Sequence, residues 1–151
     1  MISEKERLQK IQKKCQTIKP EQIGVCKFVE IKYQLFDIDD NGHNVLAKGL
    51  LERIGLEMGE FTHKWNGEKH YEQLPIPNHT AGISIVLNAL LDENHGVIKS
   101  LDEIGAVGHR LVHGGEKFSG SVIVNPDVIA AIEECCELGP LHNPHNLTGI
   151  R

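Results

Sequence analysis

Asn66-Gly67 lies between two runs, Phe61–Trp65 and Lys69–Leu74, that read as strands. Two central residues that accept positive φ suit the type I′ turn, whose twist matches the strands it joins. These runs therefore predict a hairpin. Upstream, Val29, Ile31, Tyr33 and Leu35 alternate with Glu30, Lys32 and Gln34. That period of two predicts a half-buried strand. Asp40-Asn41-Gly42 brings turn chemistry, and Val45–Ile54 (VLAKGLLERI) reads as the next strand. The first part of the chain is expected to be an antiparallel meander.

The pattern then changes. Thr80–Leu91 (TAGISIVLNALL) is apolar over several turns and predicts a helix, with Asn78 or His79 near its start. Ser100 and Glu103 have the spacing of a capping box ahead of a short turn. Ile104–His113 (IGAVGHRLVH) reads as a buried strand ending in Gly114-Gly115. Asn125-Pro126 is an N-cap followed by proline at the first helical position. The helix is expected over Pro126–Leu138, with Gly139 as its C-terminal glycine. Leu141–Pro144 is a loop opening onto a last helix. At the other end, Ser3 and Glu6 form a second capping box, and Leu8, Ile11, Cys15 and Ile18 fall on one helical face before Pro20. Meander, helix, strand, helix implies an α/β or α+β layer fold with helices covering a mixed sheet.

With 151 residues the chain suits one domain. Its 40% hydrophobic and 25% charged residues are ordinary for a soluble globular protein. A net charge of −5 argues against a nucleic-acid partner, which selects for a basic footprint. No stretch approaches the ~20 apolar residues of a membrane span. The opening MISEKERLQKIQKK has charges but no apolar core, unlike a signal peptide. A cytoplasmic protein is expected. Cys15, Cys26, Cys135 and Cys136 show no CxxC spacing and read as reduced thiols.

Two segments carry candidate chemistry. In GHRLVHGGEKF, Gly108–Phe118, Arg110 is a fixed cation whose planar fork suits a carboxylate or phosphate. Glycines 114 and 115 allow a sharp turn or a close approach to a ligand. The same residues also fit a surface arginine beside a tight turn. In GPLHNPHNLTGI, Gly139–Ile150, His142 is a candidate for stabilising charge or moving a proton, or else a capping and packing residue. His109 and His113 have the spacing of a zinc-binding helix, with Glu116 nearby. The pattern is strand-like and lacks the H-E-x-x-H glutamate, so no metal site is expected there.

GHRLVHGGEKF followed by LGPLHNPHNLTGI resembles the paired signature blocks of acetate and propionate kinases. KYQLFDID, VLAKGLLERIG and HTAGISIVLNALL resemble that family in the same order, so the resemblance covers Ile31–Ile150 almost without a gap. It implies an α/β fold, the N-terminal domain of the sugar-kinase, heat-shock cognate and actin group (ribonuclease H-like), incomplete here. Residues 23–151 would be a truncated acyl-kinase domain and residues 1–22 a polar helical extension unlike the family. The implied activity is reversible phosphoryl transfer from ATP to acetate, giving ADP and acetyl phosphate with Mg²⁺. Arg110 would bind the acyl carboxylate or the transferring phosphoryl group. His142 would stabilise charge on that group in the transition state. Val112 and Leu141 would line the pocket for the methyl group.

The sequence also departs from the family. Members open with an N-x-G-S-S-S phosphate loop directly before KYQL, where this chain has Val25-Cys26-Lys27-Phe28-Val29-Glu30. They are more than twice as long. They continue with further catalytic residues, a nucleotide-binding domain and most of a homodimer contact. The nucleotide site and main dimer region are therefore expected to lie largely outside this chain, and no turnover is expected of it alone. The alternatives are a catalytically inactive truncated or frameshifted fragment, or propionate kinase-like specificity. The partners implied are small molecules, with neither nucleic acid nor membrane.

Lys27-Phe28-Val29-Glu30 can be encoded AAG TTC GTC GAA, which shifted by one nucleotide reads Ser-Ser-Ser. Those serines would stand directly before Ile31, where the family has them. Sequencing the gene tests a frameshift at this point. TTC and GTC are expected at Phe28 and Val29, and any other codon at either rules it out.

Overall fold

The computed structural model describes residues 29–111, 114–115, 117–118, 120–140 and 142–151. The helix expected over Leu8–Ile18, Cys15, Cys26, and Val112, His113, Glu116 and Leu141 lie outside them. The chain divides into two units, one over Gly24–Gly105 and one that includes Ala106–Arg151.

In the first unit the alternating pattern becomes four strands: β1 (Val29–Ile38), β2 (His43–Ile54), β3 (Gly59–Trp65) and β4 (Glu68–Leu74). They pair antiparallel in the order β1-β2-β3-β4, the expected meander. Among the described residues no parallel pair occurs. The β3–β4 turn places Asn66 at φ 46° and Gly67 at φ 83°, the left-handed conformations a type I′ turn needs. At the β1–β2 turn the Asp39 carboxylate accepts from the amides of Asn41 and Gly42, each at 2.8 Å. Its short side chain thus does the work of a backbone turn.

Alternation decides which face is buried. Ala47, Leu51 and Phe61 point inward, Ile54 joins them past the irregularity at Arg53, and together they meet Ile76, Val86, Ala89 and Leu90. Val86, Ala89 and Leu90 come from helix α1 (His79–Leu91), which lies over this face. Full burial of a side chain such as Leu51 or Phe61 contributes about 1.5–3 kcal/mol. The Asn78 side chain caps α1, accepting from the Ala81 amide at 2.9 Å. Ser100 and Glu103 form the expected capping box around a single 3₁₀ turn, Leu101–Glu103. Gly49 is required by close approach, because a Cβ there would stand 2.5 Å from both the Thr62 carbonyl and the Tyr33 ring. Tyr33 instead lies across the glycine, its direct cross-strand partner.

His63, in β3, has no solvent exposure. Its Nε2 donates to the His95 carbonyl at 3.0 Å. That leaves Nδ1 to accept from the Tyr33 hydroxyl at 2.5 Å. Burial holds the His63 pKa below its ordinary value. The His95 carbonyl opposes this, the His95 and His70 charges add to it, and Asp92 opposes it. Burial also pushes the Tyr33 hydroxyl well above its ordinary pKa.

Two expectations in the second unit need correction. Residues 104–111 form no strand. No strand pairs with them among the described residues, and Val107 is 81% exposed, so an apolar run has neither a ladder partner nor a covering layer. The helix expected over Pro126–Leu138 is α2 (Pro126–Glu134), and it tightens into a 3₁₀ turn at Cys135–Glu137. Gly139 does not adopt the left-handed conformation of a C-terminal glycine. The tightened turn serves a terminal carbonyl, with the Leu138 amide donating to Cys135 at 3.1 Å. The Gly139 carbonyl accepts from the His142 and Asn143 amides, at 3.0 and 2.9 Å, and so leads into helix α3 (Asn143–Ile150). Among the described residues, Ala131, Ile132, Cys135, Asn143 and Leu147 are buried in this unit. Cys135 and Cys136 are free thiols.

His63 should make stability depend on pH. Its folded pKa is lowered, so its contribution is fully present above the unfolded value of about 6.5 and is lost as pH falls through the folded one. Urea midpoints should fall as pH is taken from about 7.5 downward through that window. His63→Phe should flatten this slope and cost about 1–3 kcal/mol at neutral pH, since the Tyr33 hydroxyl and the His95 carbonyl each lose a partner. An unchanged slope in the variant would refute the assignment.

Candidate functional site

The two signature segments both fall in the second unit. Arg110 is exposed, on irregular backbone instead of a strand end. Among the described residues its guanidinium has no carboxylate partner. Its carbonyl accepts from His109 Nδ1 at 3.0 Å. The other side of that ring lies against α3: Nε2 stands 2.7 Å from where a Cβ on Gly149 would be. His109, whose spacing from His113 resembles that of metal ligands, is thus a strut between the arginine and a helix.

His142 is exposed and occupies the N-cap of α3, at φ −123° and ψ −48°. Its side chain makes no capping hydrogen bond. Its backbone is held on both sides: the amide donates to Gly139 at 3.0 Å and the carbonyl accepts from the Asn146 amide at 2.9 Å. The imidazole is therefore on a fixed backbone with its ring turned to solvent.

Arg110 and His142 are brought to one helix without touching. His142 begins α3, while the His109–Arg110 pair lies at Gly149 in its last turn. Eight residues of helix span about 12 Å at 1.5 Å per residue. Val112 and Leu141, expected to line a methyl pocket, lie outside the described residues. A shallow hollow elsewhere, at the β1–β2 turn, is lined by Asp37, Asp39, Asn41, Gly42, His43 and Asn44. It contains neither candidate.

The Gly114–Gly115 turn, a few residues beyond Arg110, is tightly seated. Gly115 has φ 63°, a conformation that favours glycine. Phe118 packs over Gly114, and Lys117 forms an ion pair with Glu134 at the end of α2. The hydrogen bond to Glu134 raises the Lys117 pKa. At the first residue of α3, Asn143 is wholly buried and its Nδ2 donates to the Cys135 carbonyl at 3.0 Å. Sequence reasoning missed Asn143, Cys135 and Gly149. The one available signal was an asparagine before Pro144, which resembles a loop residue until its burial is seen. Chemically, the arrangement offers the Arg110 guanidinium, without a carboxylate partner among the described residues, and the exposed His142 imidazole. On a common scaffold, the two suit an anionic ligand.

A family model described as "Acetokinase family" matches residues 25–151. The chain is 52% identical over 125 residues to the acetate kinase of Clostridium acetobutylicum. That match takes in 83% of this chain and 31% of the relative. Among solved structures, the acetate kinase of Porphyromonas gingivalis superposes with a TM-score of 0.73 at 48% identity, covering 80% of this chain and 30% of that one. The propionate kinase of Francisella tularensis does so with a TM-score of 0.64 at 32% identity, with the same coverage. The chain thus spans about a third of the length of the relatives it matches.

The Asn125 side chain accepts from the Val128 amide at 2.9 Å and starts the helix on which the Gly114–Gly115 turn is seated. Asn125→Ala should cost about 1 kcal/mol. Hydrogen exchange should show the loss in amides of α2 and α3 and leave the sheet unaffected. Uniform loosening of both units would show the cap to be of general importance instead.

Proposed function

The chain belongs to the acetokinase family, and on that footing we propose that it serves a phosphotransferase that moves a phosphoryl group reversibly between ATP and acetate. The observation that carries this reading is the intact pair of segments around Arg110 and His142, in a chain about half identical to an acetate kinase. Acetate is favoured over propionate because the propionate kinase neighbour is the less similar of the two structures. The fold is α/β, here a four-stranded antiparallel sheet with helices. In this reading residues 23–151 form the acyl-kinase domain and residues 1–22 an extension to it. The partners are small molecules, the family's homodimer has its main contact largely outside this chain, and the location is the cytoplasm. Among the described residues no helix is long and apolar enough to cross a membrane.

Phosphoryl transfer asks a protein for positioning and for cations aimed at the equatorial oxygens. Arg110 supplies a permanent charge in a planar fork, which can hold the acetate carboxylate or two phosphoryl oxygens at once. With no carboxylate partner among the described residues, it has no ion pair there to break first. His142 supplies a donor N–H toward charge that grows in the transition state, where such groups are worth most. Val112 and Leu141 take the methyl group. The family's chemistry calls for ATP and a divalent metal, magnesium in this reading. Among the described residues no group of three or more His, Cys, Asp or Glu side chains is placed to hold a metal ion. No step is therefore assigned to the metal or nucleotide through these residues.

Acetyl phosphate binding, followed by ³¹P line broadening, tests the reading on this chain. Arg110→Ala should weaken it, and Arg110→Lys should recover only part, because an ammonium lacks the fork. In preparations that form acetyl hydroxamate from ATP and acetate, removing the Arg110 guanidinium or the His142 imidazole should lower kcat about 10²–10³-fold. Wild-type binding by Arg110→Ala would remove Arg110 from the site.

A further inference from the structure

We propose that Cys135 is a positioning residue for this site: its carbonyl and its thiol together set where His142 and the Gly114–Gly115 turn stand relative to each other. The inference rests on the proposed roles of Arg110 and His142 and adds the element that holds their two segments in register.

Cys135 is 5% exposed, and its backbone is itself held. Its amide donates to the Ala131 carbonyl as α2 gives way to the 3₁₀ turn. The carbonyl accepts twice, from the Leu138 amide at 3.1 Å and from Asn143 Nδ2 at 3.0 Å. A carbonyl oxygen has two lone pairs, so both are used. Asn143 is the residue after His142 and has no exposed surface. Its amide side chain therefore pins the N-cap of α3 to Cys135.

The thiol faces the other segment. A Cβ on Gly115 would lie 2.8 Å from Cys135 Sγ. The glycine backbone therefore rests on the sulfur with no room for a side chain. The φ of 63° gives a second and independent reason for glycine there. The Lys117–Glu134 ion pair holds the same turn against the same helix end, and the Phe118 ring packs over Gly114 within the turn. Sulfur is large and polarizable, and it fills such a contact better than a smaller atom would. Gly114 stands four residues after Arg110 in the chain, so seating this turn anchors one end of the arginine segment. Misplacement by about 1 Å at a site of this kind can cost as much as 10²-fold in rate.

The test uses the full chain labelled at glycine nitrogen and histidine ring carbon. Cys135→Ala removes the sulfur and should move the Gly115 amide and the His142 ring signals together. His63 and His95, in the other unit, should keep theirs. Acetyl phosphate binding should weaken about tenfold in the variant. A shift at only one of the two positions, or at neither, overturns the proposal. So does a shift at every histidine, which marks general loosening. Should Cys135→Ala fail to fold, Cys135→Ser carries the same test, with both signals again required to move together. If the wild-type chain does not bind acetyl phosphate, the functional reading fails, and the paired shift still decides the positioning role.

Discussion

Closing one face of the antiparallel sheet under α1 governs the rest of the first unit. In a pleated strand, successive side chains point to opposite faces, so one buried face dictates every second residue. Leu51 and Ala47 go in while Lys48 stays out, and the register β1-β2-β3-β4 results from that alternation. Gly49 opens the space into which Tyr33 leans. Tyr33 in turn donates to the His63 imidazole, which has no exposed surface. His63 is tolerated in the core because both ring nitrogens are satisfied, which removes most of the penalty for burying a polar group. The loop after α1 is held by the same hydrogen bonds, through the His95 carbonyl.

The second unit works by a different rule. Among the described residues its buried set is small and its regular backbone pairings are few, so single contacts carry more of its order. A buried asparagine, a thiol under a glycine and an imidazole against a helix replace the ladder that organises the sheet. Such an arrangement leaves Arg110 and His142 exposed while their backbones are held. That combination is consistent with the proposed roles of the two side chains. Membership of the acetokinase family gives this geometry its meaning. The chain's span of about a third of its relatives' length is a fact about where those relatives' other residues lie.

The elements that were legible in advance share a property. The Asn66-Gly67 turn, the alternation of β1, the Asn125-Pro126 helix start and the Ser100–Glu103 capping box are all decided by residues within a few positions of each other. The failures share the opposite property. Residues 104–111 have the composition of a strand, yet a strand exists only if another backbone completes its hydrogen bonds. Gly139 has the right place for a helix stop, yet the helix ended first by tightening, because the Cys135 carbonyl found a partner within the turn. For the candidate site, Arg110 and His142 were proposed from the motifs that contain them. Asn143, Cys135 and Gly149 were not, since nothing in their own neighbourhoods marks them.

From the order of its residues alone, this protein's meander, its hairpin turn, the caps at Ser100 and Asn125 and its family were determined. Those features depend on local dihedral preferences and on short patterns that survive without knowledge of what packs where. Only the tertiary structure decided that Tyr33 crosses Gly49 to meet His63, and that residues 104–111 form no strand. It alone decided that the Arg110 and His142 segments meet at Cys135 and on one short helix. Each of these depends on residues distant in sequence, and the energy of such a contact belongs to the pair, not to either residue.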